Sequence, residues 1–319
     1  WKQTNRSEFY PDHPINVIVH SSPGGGADLW ARKISALMEQ ELGNKMIVSN
    51  LAGGKGGVAA NMVWNSPHDG YTILGGSETS LLYYVNGVFD KTARDWDFMI
   101  SGGSPGVIAT LAGSKIGSFQ DLIGHDPAGK PLAISNSGKG KLWHLKAVLI
   151  EEFSRIPVIH TSYNGSNPAV VALLSGEVDA ISCSAGEISA YVESGDVIPL
   201  VMTEAYSFRF PGYAEVPAVT EFFPDMEQYL PMAQILCLLI PGDLPDNVRD
   251  KLYVAFDSAV HSNDMTEFIT SQNAAPLRLH GPAAKELAME MESKLSWFTY
   301  DRDISTNSPA DAGIEKFIK

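Results

Sequence analysis

The chain has 319 residues, 44% hydrophobic and 19% charged, which is the composition of a globular protein, and its formal net charge is -14. The acidic surplus argues against a nucleic-acid partner, because phosphate binding needs a basic face. No run of about 18 consecutive apolar residues occurs, so the sequence predicts no membrane-spanning helix. The length suits two domains of ordinary size.

Two glycine-rich turns near the start of the chain are its most informative feature. The first, Pro-Gly-Gly-Gly-Ala-Asp at 23–28, follows a predicted strand at 15–19. The second, Ala-Gly-Gly-Lys-Gly-Gly at 52–57, follows a predicted strand at 46–48. Each turn precedes a helical pattern, and the N–H groups at a helix start attract anions. Together the turns predict a grip for an anionic small molecule.

The helix after the first turn has a clear apolar stripe and an end signal. The stripe comprises Leu29, Ile34, Leu37, Met38 and Leu42. Gly43 suits the left-handed position that ends a helix. Asp28 lies in the first turn of this helix, where it either stabilises the helix dipole or shapes the loop.

Strands and helices alternate through the middle of the chain. The predicted strands are 71–74, 132–134, 158–160 and 178–182, and the predicted helices are 58–64, 142–153, 168–174 and 187–192. Asn167 is predicted to cap the third of these helices, with Pro168 as its first residue. This alternation predicts an α/β fold with largely parallel sheets, whose ligands bind at the carboxyl ends of the strands.

The remaining segments are predicted to be two buried strands and a mostly helical C-terminal part that serves as scaffold. Buried strands are expected at 198–202 and 235–240, and helices are expected at 245–261, 265–272 and 282–300. These segments carry no Gly- or Ser-rich turns of the kind described above.

A Gly-x-Ser-x-Gly pattern at 102–106 matches the nucleophile elbow of hydrolases. The elbow must be followed by a helix, whereas the residues from Val107 to Ala112 predict a strand. The segment is therefore predicted to connect two lobes, with Gly and Pro setting the hinge geometry.

The cysteines and the glycine spacings predict neither a metal site nor a cofactor site. Cys183 and Cys237 lie among apolar or small residues and are predicted to be buried free thiols, a disulfide being possible only outside the reducing cytosol. No Cys/His cluster has zinc spacing. The glycines match neither the Walker sequence nor the dinucleotide fingerprint.

These motifs, in this order, give the chain a family resemblance. It resembles the periplasmic solute-binding proteins of tripartite tricarboxylate transporters, the Bug family. The matching residues, from about residue 10 to the end, are Tyr10-Pro11, Pro14-Ile15, Pro23 to Gly26 with Asp28, Asn50, Ala52 to Gly54, Gly56-Gly57, Pro67, Asp69 to Thr72, Ser137-Gly138, Gly140, His144, Tyr163, Gly165-Ser166, Leu174, Gly176, Val178-Asp179, Val216-Pro217, Glu221, Pro241 and Pro245.

The resemblance implies a two-lobed, type II Venus-flytrap fold with mixed, mainly parallel sheets. Lobe 1 would comprise 1–104 and 228–319, and lobe 2 would comprise 105–227. It also implies a non-catalytic receptor that captures a small carboxylate between the lobes and delivers it to a membrane permease. Such a receptor would be a periplasmic monomer, and a signal peptide would have been removed before Trp1.

The candidate ligand contacts follow from the turns and the resemblance. In lobe 1 they are Ser21, Ser22, Gly24, Gly25, Gly26, Ala27, Asp28, Gly53, Gly54, Lys55, Gly56, Gly57, Ser77, Glu78 and Thr79. In lobe 2 they are Ser137, Lys141, His144, Ser166 and Ser184. Plain turn glycines, helix capping by the serines and a core histidine are the competing interpretations.

Several residues depart from the pattern of the family. His20-Ser21-Ser22 replaces a Pro-Phe-Pro segment, and Ala27 replaces a threonine. Lys55 and Lys141 stand where small residues or serine are usual, and Ile235 stands in place of a tryptophan. Lys141 could be the counter-ion of a second acidic group. Glu78, if it faces the ligand, favours an amine, several hydroxyls or a bound cation.

Two other classes of function stay open at this level. One is an α/β enzyme acting on an acidic small molecule, which would need Ser104 or Cys183 beside a histidine. The other is a ligand-sensing module that docks to a signalling partner.

Overall fold

The computed structural model describes residues 10–126, 128–230 and 232–316, which form two α/β units. Unit 1 holds residues 10–102, 235–269 and 276–316, and unit 2 holds residues 103–234 and 270–275. The chain therefore passes between the units four times, at 102/103, 234/235, 269/270 and 275/276.

The secondary structure alternates over most of the chain. The strands are β1 (Ile15–Val19), β2 (Met46–Asn50), β3 (Thr72–Ser77), β4 (Trp96–Gly103), β5 (Gly106–Leu111), β6 (Leu132–Asn136), β7 (Val158–Ser162), β8 (Ala180–Ser184), β9 (Val197–Met202), β10 (Phe208–Arg209), β11 (Glu215–Val216), β12 (Leu236–Pro241) and β13 (Ala275–His280). The helices are α1 (Gly26–Leu42), α2 (Gly57–Trp64), α3 (Phe119–Ile123), α4 (Leu142–Ser154), α5 (Ser166–Leu174), α6 (Ala185–Ser194), α7 (Asp246–Val260), α8 (Asn263–Ser271) and α9 (Gly281–Tyr300).

The six-stranded sheet of unit 1 has the order β13-β4-β12-β3-β1-β2. β1 pairs in parallel with both β2 and β3, so the three carboxyl ends lie at one edge. β12 pairs antiparallel with β3 and with β4. Ile15, Val17 and Val19, on one face of β1, are fully buried, and Ile18, on the other face, is 5% exposed, so this inner strand is covered on both faces at these positions.

The five-stranded sheet of unit 2 repeats this design, in the order β7-β6-β8-β5-β9. β6 is parallel to β7 and to β8, and their carboxyl ends again share an edge. β5 is antiparallel to β8 and β9. The predicted parallel strands are thus present in both units. The strands predicted at 107–112, 198–202 and 235–240 are present as β5, β9 and β12 and extend the sheets through antiparallel pairs, as expected of mixed sheets.

Three local predictions were wrong, and β13 was not predicted. β3 continues through Gly75 and Gly76 beyond the predicted strand end at residue 74, and a Cβ at Gly75 would lie 3.2 Å from the side chain of Ala31, so glycine allows α1 to pack closely. Leu29 of the predicted stripe is 40% exposed, while Trp30 and Ala31 are buried. α5 begins at Ser166 after Gly165, not after Asn167. β13 had no sequence signal, because it is a half-exposed strand between helices.

Both cysteines are buried free thiols, as predicted. Within the described ranges, no helix has the length and apolar character needed to cross a membrane.

Candidate functional site

Three loops of unit 1 emerge at the carboxyl ends of β1, β2 and β3. They carry all the candidates predicted for lobe 1: residues 21–28 after β1, residues 53–57 after β2, and residues 77–79 at the end of β3. The strand order β3-β1-β2 makes the three loops neighbours, so the structure brings these candidates together.

The helices after the first two loops begin without a side-chain cap. The N-cap of α1 is Gly25 and that of α2 is Gly56, and neither helix start has a side-chain cap hydrogen bond. Helices usually satisfy their first N–H groups with Ser, Thr, Asp or Asn. These two helix starts can therefore direct backbone donors, and the positive end of each helix dipole, at an external anion.

Asp28 organises the first loop with its buried carboxylate. It accepts hydrogen bonds from the Gly24 N–H (2.9 Å), from Arg32 Nε (3.0 Å) and from Asn50 Nδ2 (2.8 Å). Burial opposes ionisation, but these bonds outweigh it and hold the pKa of Asp28 below its usual value. The carboxylate thus shapes the loop, as one of the two sequence interpretations proposed.

Asn50, at the end of β2, ties the first loop to the second strand. Besides its bond to Asp28, its amide donates to the carbonyl of Ser21 at 3.0 Å. Ser21 and Ser22 are half-exposed in this loop.

A cluster of buried polar side chains connects the three loops on the side that faces the interior of unit 1. His20 Nδ1 lies 2.6 Å from the Tyr83 hydroxyl, and His20 Nε2 lies 3.3 Å from Ser77 Oγ. A Cβ at Gly56 would lie 2.9 Å from the Tyr83 ring and 3.0 Å from His20 Nδ1. Glycine at 56 is therefore what allows the second loop to rest on this pair.

The two charged candidates of unit 1 have defined surroundings. Lys55 has a left-handed backbone (φ 52°), and its Nζ donates to Asn86 Oδ1 at 2.7 Å. Glu78 is 5% exposed, and its N–H donates to the carbonyl of Ile235 at 3.2 Å. Ser77 caps the turn that starts at Glu78 by accepting from the Thr79 N–H at 3.3 Å, as the capping interpretation predicted.

In unit 2 the loops after β6, β7 and β8 share the carboxyl edge of the sheet. Ser137 follows β6, Ser166 follows β7, and Ser184 ends β8. The first two loops are joined by the Gly165 N–H, which donates to the carbonyl of Ser137 at 3.2 Å. The structure thus brings the predicted lobe 2 candidates to one edge of unit 2.

The N-terminus of α4 carries Lys141 and His144. Lys141 is its N-cap and provides no side-chain cap. Its methylene groups cover Gly138, where a Cβ would lie 3.2 Å from them. His144 is buried, and its Nδ1 accepts from the Gly140 N–H at 3.3 Å, so this histidine fixes the loop from within.

Ser166 and Ser184 both meet a carboxylate that belongs to the protein. The Glu187 carboxylate accepts from the Ser184 N–H at 3.0 Å in a capping box, and the side chains of Ser166 and Ser184 also hydrogen-bond to it. Burial raises the pKa of Glu187, although these bonds lower it in part. The starts of α5 and α6 are thus linked by Glu187, and the capping interpretation holds for Ser184.

Sequence reasoning did not assign His20, Tyr83, Asn50 or Glu187 to the site. Glu187 was detectable, because Ser-x-x-Glu at 184–187 is the signature of a capping box. Asn50 stood among the residues of the resemblance. The pairing of His20 with Tyr83 joins residues 63 positions apart and had no local signal.

The arrangement of metal-ligating side chains and the cavity near Trp64 give little information about ligand binding at these loops. Over the described ranges, no group of three or more His, Cys, Asp or Glu side chains is placed to hold a metal ion. A cavity of about 490 Å³ in unit 1 lies beside Trp64, Tyr84 and Lys91, and none of its lining residues is a predicted ligand contact.

The fold is that of two-domain solute-binding proteins. MatC from Rhodopseudomonas palustris with bound malate shares the fold with a TM-score of 0.80, 20% identity, and coverage of 91% of this chain and 99% of that one. A second R. palustris protein, solved with adipate, gives a TM-score of 0.77 and 21% identity over 97% of this chain and 100% of that one.

A family model described as the tripartite tricarboxylate transporter family receptor matches residues 30–296, and the chain belongs to this family. A protein of the tcbD-tcbE intergenic region of Pseudomonas sp. strain P51 is 28% identical over 83% of this chain and 79% of its own length. The protein BugT of Bordetella pertussis is 26% identical over 85% of this chain and 83% of its own length.

Proposed function

We propose that the protein is an extracytoplasmic receptor that binds a small carboxylate and delivers it to a membrane permease. The observation that carries this proposal is the pair of helix starts, α1 and α2, at one edge of unit 1. Both begin after glycine and both lack a side-chain cap, so their N–H groups suit a carboxylate. No metal or cofactor is needed for such binding.

Two findings support a carboxylate in particular. The chain belongs to a receptor family of tricarboxylate transporters. The structures of the same fold described above hold malate in one case and adipate in the other. Both are dicarboxylates, so one carboxylate would bind at the loops of unit 1 and leave a second group for unit 2.

In unit 2, α4 is the helix start best suited to that second group. Its N-cap is Lys141, whose side chain brings a positive charge to this helix start. The starts of α5 and α6 already have Glu187 bonded to their serines. We therefore assign Lys141 and Ser137 to the ligand and treat Ser166 and Ser184 as supports of the loop.

Units 1 and 2 would act as the predicted lobes. A ligand bound to unit 1 gains the contacts of unit 2 only in a closed state, and this difference in contacts shifts the population toward that state. The closed receptor, acting as a monomer outside the cytoplasm, would then dock to the permease.

The decisive experiment uses a substitution that places a carboxylate of the protein itself at the start of α1, where the carboxylate of the ligand is expected to bind. Gly25 has an extended backbone (φ -80°) and room for a Cβ, so Gly25→Asp should fold and cap α1 itself. Thermal shifts would be measured with malate, adipate, citrate, aspartate and benzoate. We expect at least one acid to stabilise the wild type and Gly25→Ala, and none to stabilise Gly25→Asp. Unchanged binding in Gly25→Asp, or no shift of the wild type with any acid, would refute the proposal.

Delivery is tested separately, by uptake of the labelled acid in cells with and without the gene. Uptake that does not depend on the receptor would leave binding intact and reject the transport role.

A further inference from the structure

Ser104, the central residue of the Gly-x-Ser-x-Gly pattern, lies at the centre of a hydrogen-bond cluster in unit 2. It is 6% exposed. Its N–H donates to Gln234 Oε1 at 3.0 Å. Its hydroxyl lies 3.4 Å from the carbonyl oxygen of Gln272 and 3.3 Å from that of Asn273, and donates to this pair. The hydroxyl is therefore engaged with backbone groups.

The partners of Ser104 stand next to all four places where the chain passes between the units. Ser104 follows the passage at 102/103, and Gln234 precedes the one at 234/235. Gln272 and Asn273 lie in the short segment 270–275, which has a passage at each end. One residue thus fastens three separate segments of unit 2.

Close backbone packing strengthens this arrangement. A Cβ at Gly103 would lie 1.8 Å from the carbonyl oxygen of Gln234, so glycine is needed for the two segments to touch. A Cβ at Gly186 would lie 2.4 Å from the carbonyl oxygen of Gln272, which brings the start of α6 equally close to 270–275. At these two glycines the chain at 103 packs directly on the backbone of Gln234, and the start of α6 packs directly on the backbone of Gln272.

The same cluster holds the start of α6 by direct hydrogen bonds. The Gly186 N–H donates to Ser104 Oγ at 3.0 Å, and the Ala185 N–H donates to the carbonyl of Pro105 at 2.8 Å. Asn273 Nδ2 donates to Ser189 Oγ, one turn further along α6. Ser184 and Glu187, which support the candidate loops of unit 2, lie beside these bonds, so the cluster reaches the supports of those loops.

We propose that Ser104 is a positioning residue that couples the start of α6 to the segments through which the chain passes between the units. Its hydroxyl accepts from α6 and donates to 270–275, so a change in the position of Gly186 alters both bonds together. The role of a ligand in this coupling rests on the proposed function. The hydrogen bonds of Ser104 are independent of the proposed function.

The position of Ser104 before β5 fits this role better than catalysis. A nucleophile elbow places its serine before a helix and leaves the hydroxyl exposed to substrate. Here Ser104 is buried, precedes a strand and accepts an N–H bond.

Amide hydrogen exchange of the full chain tests the coupling without a ligand. In Ser104→Ala, we expect peptides covering 184–187 and 270–275 to exchange ~10-fold faster than in the wild type, because both lose the same hydroxyl. Ser104→Cys, of similar size, should fold and give an intermediate rate. Ser207→Ala is the matched control, because Ser207 bonds to Glu215 elsewhere in unit 2. Faster exchange in only one of the two segments would overturn the proposal.

A second arm adds the five acids of the thermal-shift panel at saturation. The wild type should gain protection in 23–28 and in 270–275, whereas Ser104→Ala should gain it in 23–28 alone. Equal protection of 270–275 in both proteins would overturn the coupling. If no acid protects 23–28 of the wild type, the proposed function fails, and the ligand-free comparison still decides the role of Ser104.

Discussion

His20 Nδ1 and the Tyr83 hydroxyl lie 2.6 Å apart in the interior of unit 1, directly beneath the second glycine loop. Burial raises the pKa of Tyr83 far above its usual value, so the phenol stays neutral. Neither side chain needs to touch a ligand. The pair supports Gly56 from below and sets the height of the loop that is expected to bind the carboxylate.

Removing the Tyr83 hydroxyl should weaken both the fold and the site. Tyr83→Phe leaves His20 Nδ1 without this partner in a buried position, which costs about 1–3 kcal/mol. We expect a lower midpoint of urea unfolding and weaker binding of the acid that stabilises the wild type. Tyr84→Phe removes a half-buried hydroxyl from the next position and serves as the control. Equal midpoints for the two variants would contradict a special role for the His20–Tyr83 pair.

A methyl group at Gly56 should disturb the same pair from above. Gly56 has φ 94°, and its Cβ would meet the Tyr83 ring, so Gly56→Ala combines backbone strain with a clash. Gly43 also has a positive φ, of 67°, but its Cβ would meet nothing within 4 Å. Gly43→Ala should therefore lose about 1 kcal/mol of stability and keep full ligand affinity, measured by calorimetry. Gly56→Ala should lose more stability and most of its affinity.

The sequence predicts those features of the structure that depend on residues close together in the chain. The strand–turn–helix order of 15–42 was readable because hydrophobic period, glycine and helix end agree within a few residues. Gly43 is indeed in the left-handed region at the end of α1, and its N–H bonds to the carbonyl of Glu39. Gly75 and Gly76 look identical to turn glycines in the sequence, yet they serve close packing inside β3. Only the position of α1 distinguishes the two roles.

In the candidate site, too, local features can be predicted from the sequence and contacts between distant residues cannot. The positions of the glycine loops and of Asp28 can be read from the sequence, because a loop after a strand carries its own signal. The partner that Asp28 finds in Asn50 and the contact of Gly56 with Tyr83 depend on strand order, which pairs β1 with both β2 and β3. Glu187 was readable as a capping box, but its bond to Ser166 requires β7 and β8 to flank β6.

Glu292 should make the stability of the protein depend on pH near neutrality. It is 3% exposed and accepts from the Ala93 N–H at 2.8 Å, and burial raises its pKa from 4.5 to about 7. Between these two values the folded state binds more protons than the unfolded state. The free energy of unfolding therefore falls as pH rises from about 4.5 to about 7, by at most roughly 3 kcal/mol.

Glu292→Gln should remove this dependence. The amide oxygen can still accept from Ala93, and no buried charge forms at high pH. We expect the variant to match the wild type in melting temperature at pH 5 and to exceed it at pH 8. Glu290→Gln, which breaks a pair with Lys294 on the same helix, controls for a lost charge on α9. A variant no more stable than the wild type at pH 8 would show that Glu292 is not the group responsible.

The buried ion pair of Lys146 and Glu204 should be far costlier to break than to replace. The side chains are 1% and 5% exposed, Lys146 Nζ also donates to the carbonyl of Thr203 at 3.1 Å, and Glu204 Oε1 accepts from the Gly106 N–H at 2.9 Å. Lys146→Met leaves a buried carboxylate without its cation and should cost about 3–5 kcal/mol in urea unfolding. The double variant Lys146→Met with Glu204→Met should recover most of that loss, because two apolar side chains pack where two charges were desolvated. If the double variant is no more stable than the single one, the cost lies in the packing of α4 in the interior of unit 2 and not in the unpaired charge.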